Sequence, residues 1–399
     1  MNSADIDALR ETLHPKLQAA LDKRGFDEFS EIQIRAVPEL IRGTNAVLIA
    51  PTGTGKTESA LLPIFHQLLT KSHSPGFSAL YITPLRSLNR DMMNRLAWWG
   101  QELGLKISVR HGDTTQADRR KQAVHPPDLL ITTPESLQAM MMGKVLRKHL
   151  AGVRYVIIDE IHELAGGKRG SQLSVGLERI AELSGEFQRI GISATVGNPE
   201  TIGQFLCGKR PYTIVQVPVA KTLDLTVRFA GESFGDQTKF IETCIDSHTS
   251  TLVFTNTRSV AEAIGHALRS RGDIDVHHGS LSREVRVDAE DRFREGLTRG
   301  MICTSSMELG IDIGHVDHVI QFNSPREVAR LIQRTGRAGH QLHATSRGTI
   351  LVTGFDDCIE SMVIVRKAMA NEPENVRPHM NAADVIANQI AARAVERGE

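Results

Sequence analysis

Ala50-Pro-Thr-Gly-Thr-Gly-Lys-Thr57 follows the short apolar run Val47–Ile49 and opens an amphipathic stretch. Strand, Gly-rich turn and helix in that order make a cradle for phosphate. Glycines let the backbone wrap tightly, so that N–H groups point inward at the helix N-terminus. Thr52, Gly53 and Gly55 shape the loop, Lys56 supplies a point charge near the β- and γ-phosphates, and the Thr57 hydroxyl can ligate Mg2+. A Gly-rich turn before a helix also occurs with no ligand. The Lys-Thr pair and the preceding strand favour the nucleotide.

Downstream, Asp159-Glu-Ile-His162 ends a second apolar run, Tyr155–Ile158. A carboxylate at the C-terminal end of a parallel strand sits where ligands bind in open α/β sheets. Asp159 is placed to hold Mg2+, directly or through water, and Glu160 to polarise an attacking water as general base. Alone, an Asp-Glu pair after a strand reads equally as a solvated helix cap; behind a phosphate loop it reads as chemistry. Hydrolysis also needs positive charge on the γ-phosphate, and Gln333-Arg-Thr-Gly-Arg-Ala-Gly-His340 offers it. Arg334 and Arg337 are three apart, so both can face one cleft on a helix expected to start near Pro325.

Around these segments the chain alternates buried strands with helical patterns. Val47–Ile49, Ala79–Ile82, Ile107–Val109, Leu129–Ile131, Tyr155–Ile158 and Arg189–Ile192 form one series. Thr251–Phe254, Asp275–His277, Met301–Cys303, His318–Gln321 and Thr349–Val352 restart it. Two doubly wound parallel sheets follow. Between them, Tyr212–Pro218 and Thr222–Phe229 read as an extended crossover, and beyond Phe355 the chain reads as helix, first Asp357 to Ala370 and then Asn381 to Arg397. The expected boundaries are 1–210, 211–375 and 376–399.

With 399 residues, one ordinary core is exceeded. The 47 basic and 47 acidic side chains cancel, so a generally basic DNA-coating surface is excluded and any polymer must be held in a local groove. No apolar run approaches the roughly 20 residues that span a bilayer, and Met1 to Arg10 lacks a signal-peptide core, so no membrane and a cytoplasmic setting are expected. Cys207, Cys244, Cys303 and Cys358 are dispersed, and none lies between Lys56 and Asp159, which excludes an iron–sulfur insertion in the first lobe. His277 and His278 have no ligand-spaced companions for a metal. Trp98 and Trp99 read as core, and Glu178–Arg179 and Arg292–Arg294 as solvated helix faces.

The order of these segments resembles the superfamily 2 helicases with a DExH box, and more closely the Lhr (large helicase-related) group. The likeness is carried by Glu31-Ile-Gln33, Thr83-Pro-Leu-Arg-Ser-Leu-Asn89, His111-Gly-Asp-Thr114, Thr132-Thr-Pro-Glu-Ser-Leu137, Asp159-Glu-Ile-His162, Gly166-Gly-Lys-Arg-Gly170 and Ser193-Ala-Thr195. It continues through Phe254-Thr-Asn-Thr-Arg258, His277-His-Gly-Ser-Leu-Ser-Arg-Glu284, Thr304-Ser-Ser-Met-Glu-Leu-Gly-Ile-Asp312 and Gln333–His340. Ala50, where such loops usually begin with glycine, is the form helicases commonly carry.

The resemblance implies two tandem RecA-like doubly wound parallel-sheet lobes with an ATP cleft between them. It implies that Gln33 reads the adenine edge, with Phe26 either stacking on the base or belonging to the core. Asp312 reaches the ribose, Gly310 lets its loop approach, and Ser193, Thr195 and His162 couple the γ-phosphate to the strand. Arg86, Thr133, Thr255, Gly279 and Thr304 line the nucleic-acid track through contacts that carry no sequence information. The implied function is an ATP- and Mg2+-dependent 3′→5′ DNA helicase or translocase in DNA repair, monomeric and acting on single strands. A DExH RNA helicase shares the same core; a hydrolysis-independent nucleic-acid-binding scaffold would not need Lys56, Asp159, Glu160, Arg334 and Arg337 together. Lhr-type proteins continue into a winged helix, of which only an opening helix with Val385, Ile386 and Ile390 on an apolar face is expected here, as in a truncated product that hydrolyses ATP but unwinds poorly.

Overall fold

The computed structural model describes residues 3–26, 28–51, 53–71, 76–84, 86–217, 222–308, 314–338 and 345–397, with side chains from 8 to 85 and from 93 to 396 within those spans. The chain divides into two compact units, one of Met1–Ala50, Thr54–Val217 and Asn375–Glu399, the other with Pro218–Glu374 as its body.

The first unit is built on a parallel sheet of seven strands: β1 (Ala46–Ile49), β2 (Ala79–Ile82), β3 (Ile107–Arg110), β4 (Leu129–Thr132), β5 (Tyr155–Ile158), β6 (Gln188–Ser193) and β7 (Thr213–Gln216), ordered β3-β4-β2-β5-β6-β1-β7. The central strands β1, β2 and β5 are almost wholly apolar because both faces are covered. Their period of two divides the side chains between two cores. Leu48, Tyr81, Ile131, Ile157 and Ile192 pack under helices Glu31–Ile41 and Lys56–Thr70. Val47, Ile49, Leu80, Ile82, Val156 and Ile158 pack under helix Lys168–Ser184 on the opposite face. Trp99 is buried in the first of these cores, with Trp98 partly buried beside it under the Arg24 guanidinium.

The second unit repeats the plan with β8 (Leu223–Phe229), β9 (Thr251–Phe254), β10 (Ile274–His277), β11 (Gly300–Cys303), β12 (His318–Phe322) and β13 (Ser346–Val352), all parallel in the order β10-β11-β9-β12-β13-β8. Leu252, Phe254, Met301 and Val319 face one core, and Val253, Ile302, Ile320 and Phe322 face another.

Three features differ from the sequence reading. The stretch read as a crossover supplies two edge strands: β7 pairs with β1, and β8 pairs with β13 along seven register positions from Leu223 to Phe229. The helix expected from Pro325 begins at Val328, because Asn323 and Arg326 take left-handed backbone (φ 61° and 70°) and the Glu374 carboxylate accepts from the N–H groups of Val328 (2.6 Å) and Ala329 (3.1 Å).

The third concerns the C-terminal segment. Val376 exchanges two hydrogen bonds with the Asn198 side chain (2.7 and 2.8 Å), His379 donates to the Ala165 carbonyl (3.1 Å), and helix Ala383–Arg397 lies on helix Lys168–Ser184. Its inward face carries Gln389, Ala392 and Glu396, while Ile386 and Ile390 are exposed, the reverse of the apolar face expected to pack. Arg179 is accordingly not solvated: it is 6% exposed and donates to Gln389 (2.7 Å) and to the Glu396 carboxylate. Among the described residues no helix is long and apolar enough to cross a membrane.

Candidate nucleotide and nucleic-acid sites

In the order β5-β6-β1, the phosphate loop leaves β1, Ser193 closes β6 and Asp159 follows β5, so three sequence-distant motifs open side by side at one end of the sheet. The loop's curvature rests on Gly53 and Gly55, both left-handed at φ 78° and 81°. At Gly55 a Cβ would also lie 2.4 Å from Gln33 Nε2, so only glycine fits. Lys56 is buried, and its ammonium folds back to donate to the Ala50 carbonyl (2.6 Å), which holds the charge over the loop. Thr57 stands one residue into the helix, where backbone N–H groups lack helical acceptors.

Gln33 touches this loop but is already engaged. Its Oε1 accepts from Ser30 N (2.8 Å), forming the capping box of helix Glu31–Ile41, and its Nε2 donates to the Gly55 carbonyl (3.3 Å). Phe26 is partly buried against the same core and meets Phe29 edge-on, with ring centroids 5.5 Å apart.

Asp159 and Glu160 are 6% and 7% exposed. Burial, and then the Glu160 charge, push the Asp159 carboxyl well above the usual carboxylate range, while Lys56 pulls the other way. The sheet places a carboxylate where it needs a cation. Glu160 holds left-handed backbone at φ 46°, ψ 45°, a strained conformation for a side chain of this size. His162 is driven down to about 4 by burial and is therefore neutral near pH 7; its Nδ1 lies 3.1 Å from Ser193 Oγ and 3.6 Å from Glu160 Oε2. Ser193, His162 and Glu160 thus form one contact chain, with Thr195 buried just beyond. Thr52, Gly310, Asp312 and the side chain of Arg86 lie outside the described residues.

In the second unit Arg334 is 2% exposed and donates from Nε to the Glu308 carboxylate (2.6 Å) and from Nη1 to Gln321 Oε1 (2.5 Å) and Asn256 Oδ1 (3.3 Å). Its face lies over Phe254, 5.2 Å from the ring centroid. Arg337, just past the helix end, donates from Nη2 to the Glu308 carbonyl (2.5 Å). Both arginines therefore converge on Glu308, one on its side chain and one on its backbone.

The expected track residues separate into two kinds. Gly279, Thr255 and Thr304 follow the adjacent strands β10, β9 and β11. Gly279 is exposed and Thr304 partly so, but Thr255 is fully buried, its hydroxyl engaged by the Thr257 (3.0 Å) and Cys303 (3.3 Å) carbonyls. Thr133 caps helix Pro134–Met142, accepting from Ser136 N (3.3 Å). His277 bridges Ser306 Oγ (2.8 Å) and Glu290 (2.9 Å), tying β10 to the turn after β11.

Thr133 also lines a cavity of about 520 Å³ with Pro84, Arg110, His111, Arg119 and Arg169. Arg119 wraps the carbonyls of His111 (3.2 Å), Gly112 (2.9 Å) and Thr114 (3.0 Å). Arg169 pairs with Glu135 and reaches the Pro84 carbonyl (2.8 Å). Burial, then the neighbouring Arg119 charge, lower the Arg110 pKa. Three arginines and Glu135 thus line one cavity. Of these arginines, only Arg169 falls within a segment that carries the family resemblance, Gly166–Gly170. Gly170 serves packing, since a Cβ there would fall 2.1 Å from the Leu164 carbonyl.

Residues 30–202 match the DEAD/DEAH box helicase family, and residues 236–341 match the helicase conserved C-terminal domain. The ATP-dependent helicase Lhr-Core of Methanothermobacter thermautotrophicus is 38% identical over 420 residues, covering 96% of this chain and 49% of that protein. The chain belongs to the superfamily 2 DExH-box helicases and is Lhr-like in its motor core. The Mycobacterium smegmatis helicase Lhr bound to ssDNA and AMP-PNP superposes with a TM-score of 0.87 at 36% identity, covering 97% of this chain and 54% of that one. The DUF1998 helicase MrfA bound to DNA gives 0.84 at 25% identity, covering 97% and 57%. This helicase chain spans about half the length of the curated relatives it matches, 49% of the first.

Proposed function

We propose that this chain is the motor of an ATP-dependent DNA helicase, hydrolysing ATP to move 3′→5′ along a single strand, with DNA repair as its setting. The observation that carries the reading is the meeting of the Lys56 loop, Ser193 and the Asp159–Glu160 corner at one end of the sheet. The DNA preference is supported by the DNA-bound Lhr and MrfA structures; polarity and the repair setting are what the Lhr resemblance implies.

The loop amides and Lys56 bind the triphosphate, and the Lhr resemblance gives Gln33 the adenine and Gly310 and Asp312 the ribose as roles. Thr57 and Asp159 fit Mg2+: one is a hydroxyl at the helix start, the other a carboxylate that burial leaves short of a counter-charge. Held by these two residues, the ion would supply positive charge against the phosphates during transfer. Glu160 takes a proton from the attacking water, and His162 beside it is neutral near pH 7. Arg337 stabilises charge on the transferring phosphoryl group, and Arg334 acts through Glu308, whose carbonyl holds Arg337. His162 and Ser193 relay the state of the γ-phosphate toward the strand-binding turns. The cavity rimmed by Arg110, Arg119 and Arg169 takes backbone phosphates without reading bases.

The test is steady-state ATP hydrolysis with no polymer, single-stranded DNA or single-stranded RNA, beside Lys56→Ala. DNA is expected to stimulate the rate at least tenfold more than RNA, by analogy with the bound strand of the Lhr relative, and Lys56→Ala to abolish it. Stimulation mainly by RNA would overturn the substrate, and hydrolysis surviving in Lys56→Ala would overturn the site.

A further inference from the structure

Tyr81 sits in the middle of β2, among residues that are otherwise apolar, and it is wholly enclosed. A tyrosine in a parallel-strand core contributes its ring as any aromatic does, but its hydroxyl must find partners or be left unsatisfied. Here it donates to Asp159 Oδ2 at 2.8 Å. The phenol oxygen therefore touches the carboxylate assigned to the nucleotide's cation.

The backbone leaves Asp159 little other freedom. Its N–H donates to the Ile82 carbonyl (2.8 Å), extending the β2–β5 ladder past its last pair, Ile82 with Ile158. Its Oδ1 accepts from Glu160 N (3.0 Å), an N–H aimed there by the left-handed turn at Glu160. With Tyr81 on Oδ2, both carboxylate oxygens are held and the side chain is confined to one rotamer.

We infer that Tyr81 is a positioning residue for the divalent cation of the nucleotide, fixing the Asp159 carboxylate in one orientation before the ion arrives. This rests on the reading of Thr57 and Asp159 as its ligands. A group that orients a metal ligand without touching the metal typically changes metal affinity or activity by 10–100-fold when removed. Tyr81 acts on the ion alone: the loop amides and Lys56 still bind phosphate without it.

Tyr81→Phe deletes one oxygen and keeps the packed ring. The direct readout is Mn2+ affinity with AMP-PNP present, from the free Mn2+ signal in electron paramagnetic resonance. It is measured alongside the Mg2+ concentration for half-maximal ATP hydrolysis, nucleotide affinity in EDTA, and thermal unfolding. Mn2+ binding is expected to weaken about tenfold and the Mg2+ requirement to rise equally. Metal-free nucleotide affinity and the unfolding midpoint should stay near wild type. Unchanged Mn2+ affinity overturns the proposal, as does a loss of nucleotide affinity in EDTA that parallels a lower unfolding midpoint, because Tyr81 is then simply core. Asp159→Asn separates the two readings. If it leaves Mn2+ affinity intact, the ligand assignment fails; if it abolishes the effect of adding Tyr81→Phe, the two residues act as one unit.

Discussion

Glu160→Gln lowers DNA-stimulated ATP hydrolysis by about three orders of magnitude while ATP still binds, the loss expected when a general base is removed from an otherwise intact site. The side chain is 7% exposed, so solvent supplies no ready substitute for the carboxylate at that position. Glutamine keeps the shape and can occupy the same strained turn, at φ 46°, ψ 45°, but it cannot accept the proton. Steady-state phosphate release gives the rate, and fluorescence titration with a labelled ATP gives the affinity. A variant within tenfold of wild type would move the base elsewhere. His162 does not replace it: burial brings its pKa down to about 4, so it is a far weaker base than free histidine near pH 7.

The second large effect divides two arginines that look equivalent in Gln333–His340. Arg337→Ala is expected to cost about 10³-fold in hydrolysis, as loss of an arginine finger does. Its Nη2 donates to a backbone carbonyl, that of Glu308, and not to a buried carboxylate as Arg334 does. Arg334→Ala should act first on stability. It strips Glu308, itself 6% exposed, of a buried guanidinium, and leaves Gln321 and Asn256 short of a donor. Breaking one partner from a buried pair costs about 3–5 kcal/mol. In a unit of this size that is about 10 °C in unfolding midpoint. Differential scanning calorimetry beside the hydrolysis assay reads both effects. Equal midpoints for the two variants would mean that the Glu308 cluster does not hold the second unit together.

The contrast between Arg334 and Arg337 also shows which parts of the fold and site were legible. The phosphate loop, the Asp159–Glu160 corner and the interior strands were readable because their chemistry is contiguous: an apolar run, a turn of small residues, then a charged or hydroxyl side chain. What failed to show depends on partners far away in sequence. Thr213–Gln216 is too short and mixed to announce itself as a strand, and becomes one only by pairing with Ala46–Ile49. Arg179 has the pattern of a solvated helix face until Gln389 and Glu396 cover it. Ile386 and Ile390 have the spacing of a buried stripe, yet the buried stripe is Gln389, Ala392 and Glu396, because its mate on the other helix is an arginine. Thr255 looked like a strand-end hydroxyl facing a ligand, but it closes its own turn. Tyr81 is the instructive case: alternation correctly assigns its ring to the core and says nothing about its oxygen, which lies 2.8 Å from Asp159.

Movement along DNA is tested most directly by displacement of streptavidin from single-stranded oligonucleotides biotinylated at one end or the other. With ATP, this chain is predicted to strip streptavidin from the 5′ end and not the 3′ end, and Lys56→Ala to strip neither. Displacement from the 3′ end would reverse the polarity. Hydrolysis without displacement from either end would contradict a translocating motor.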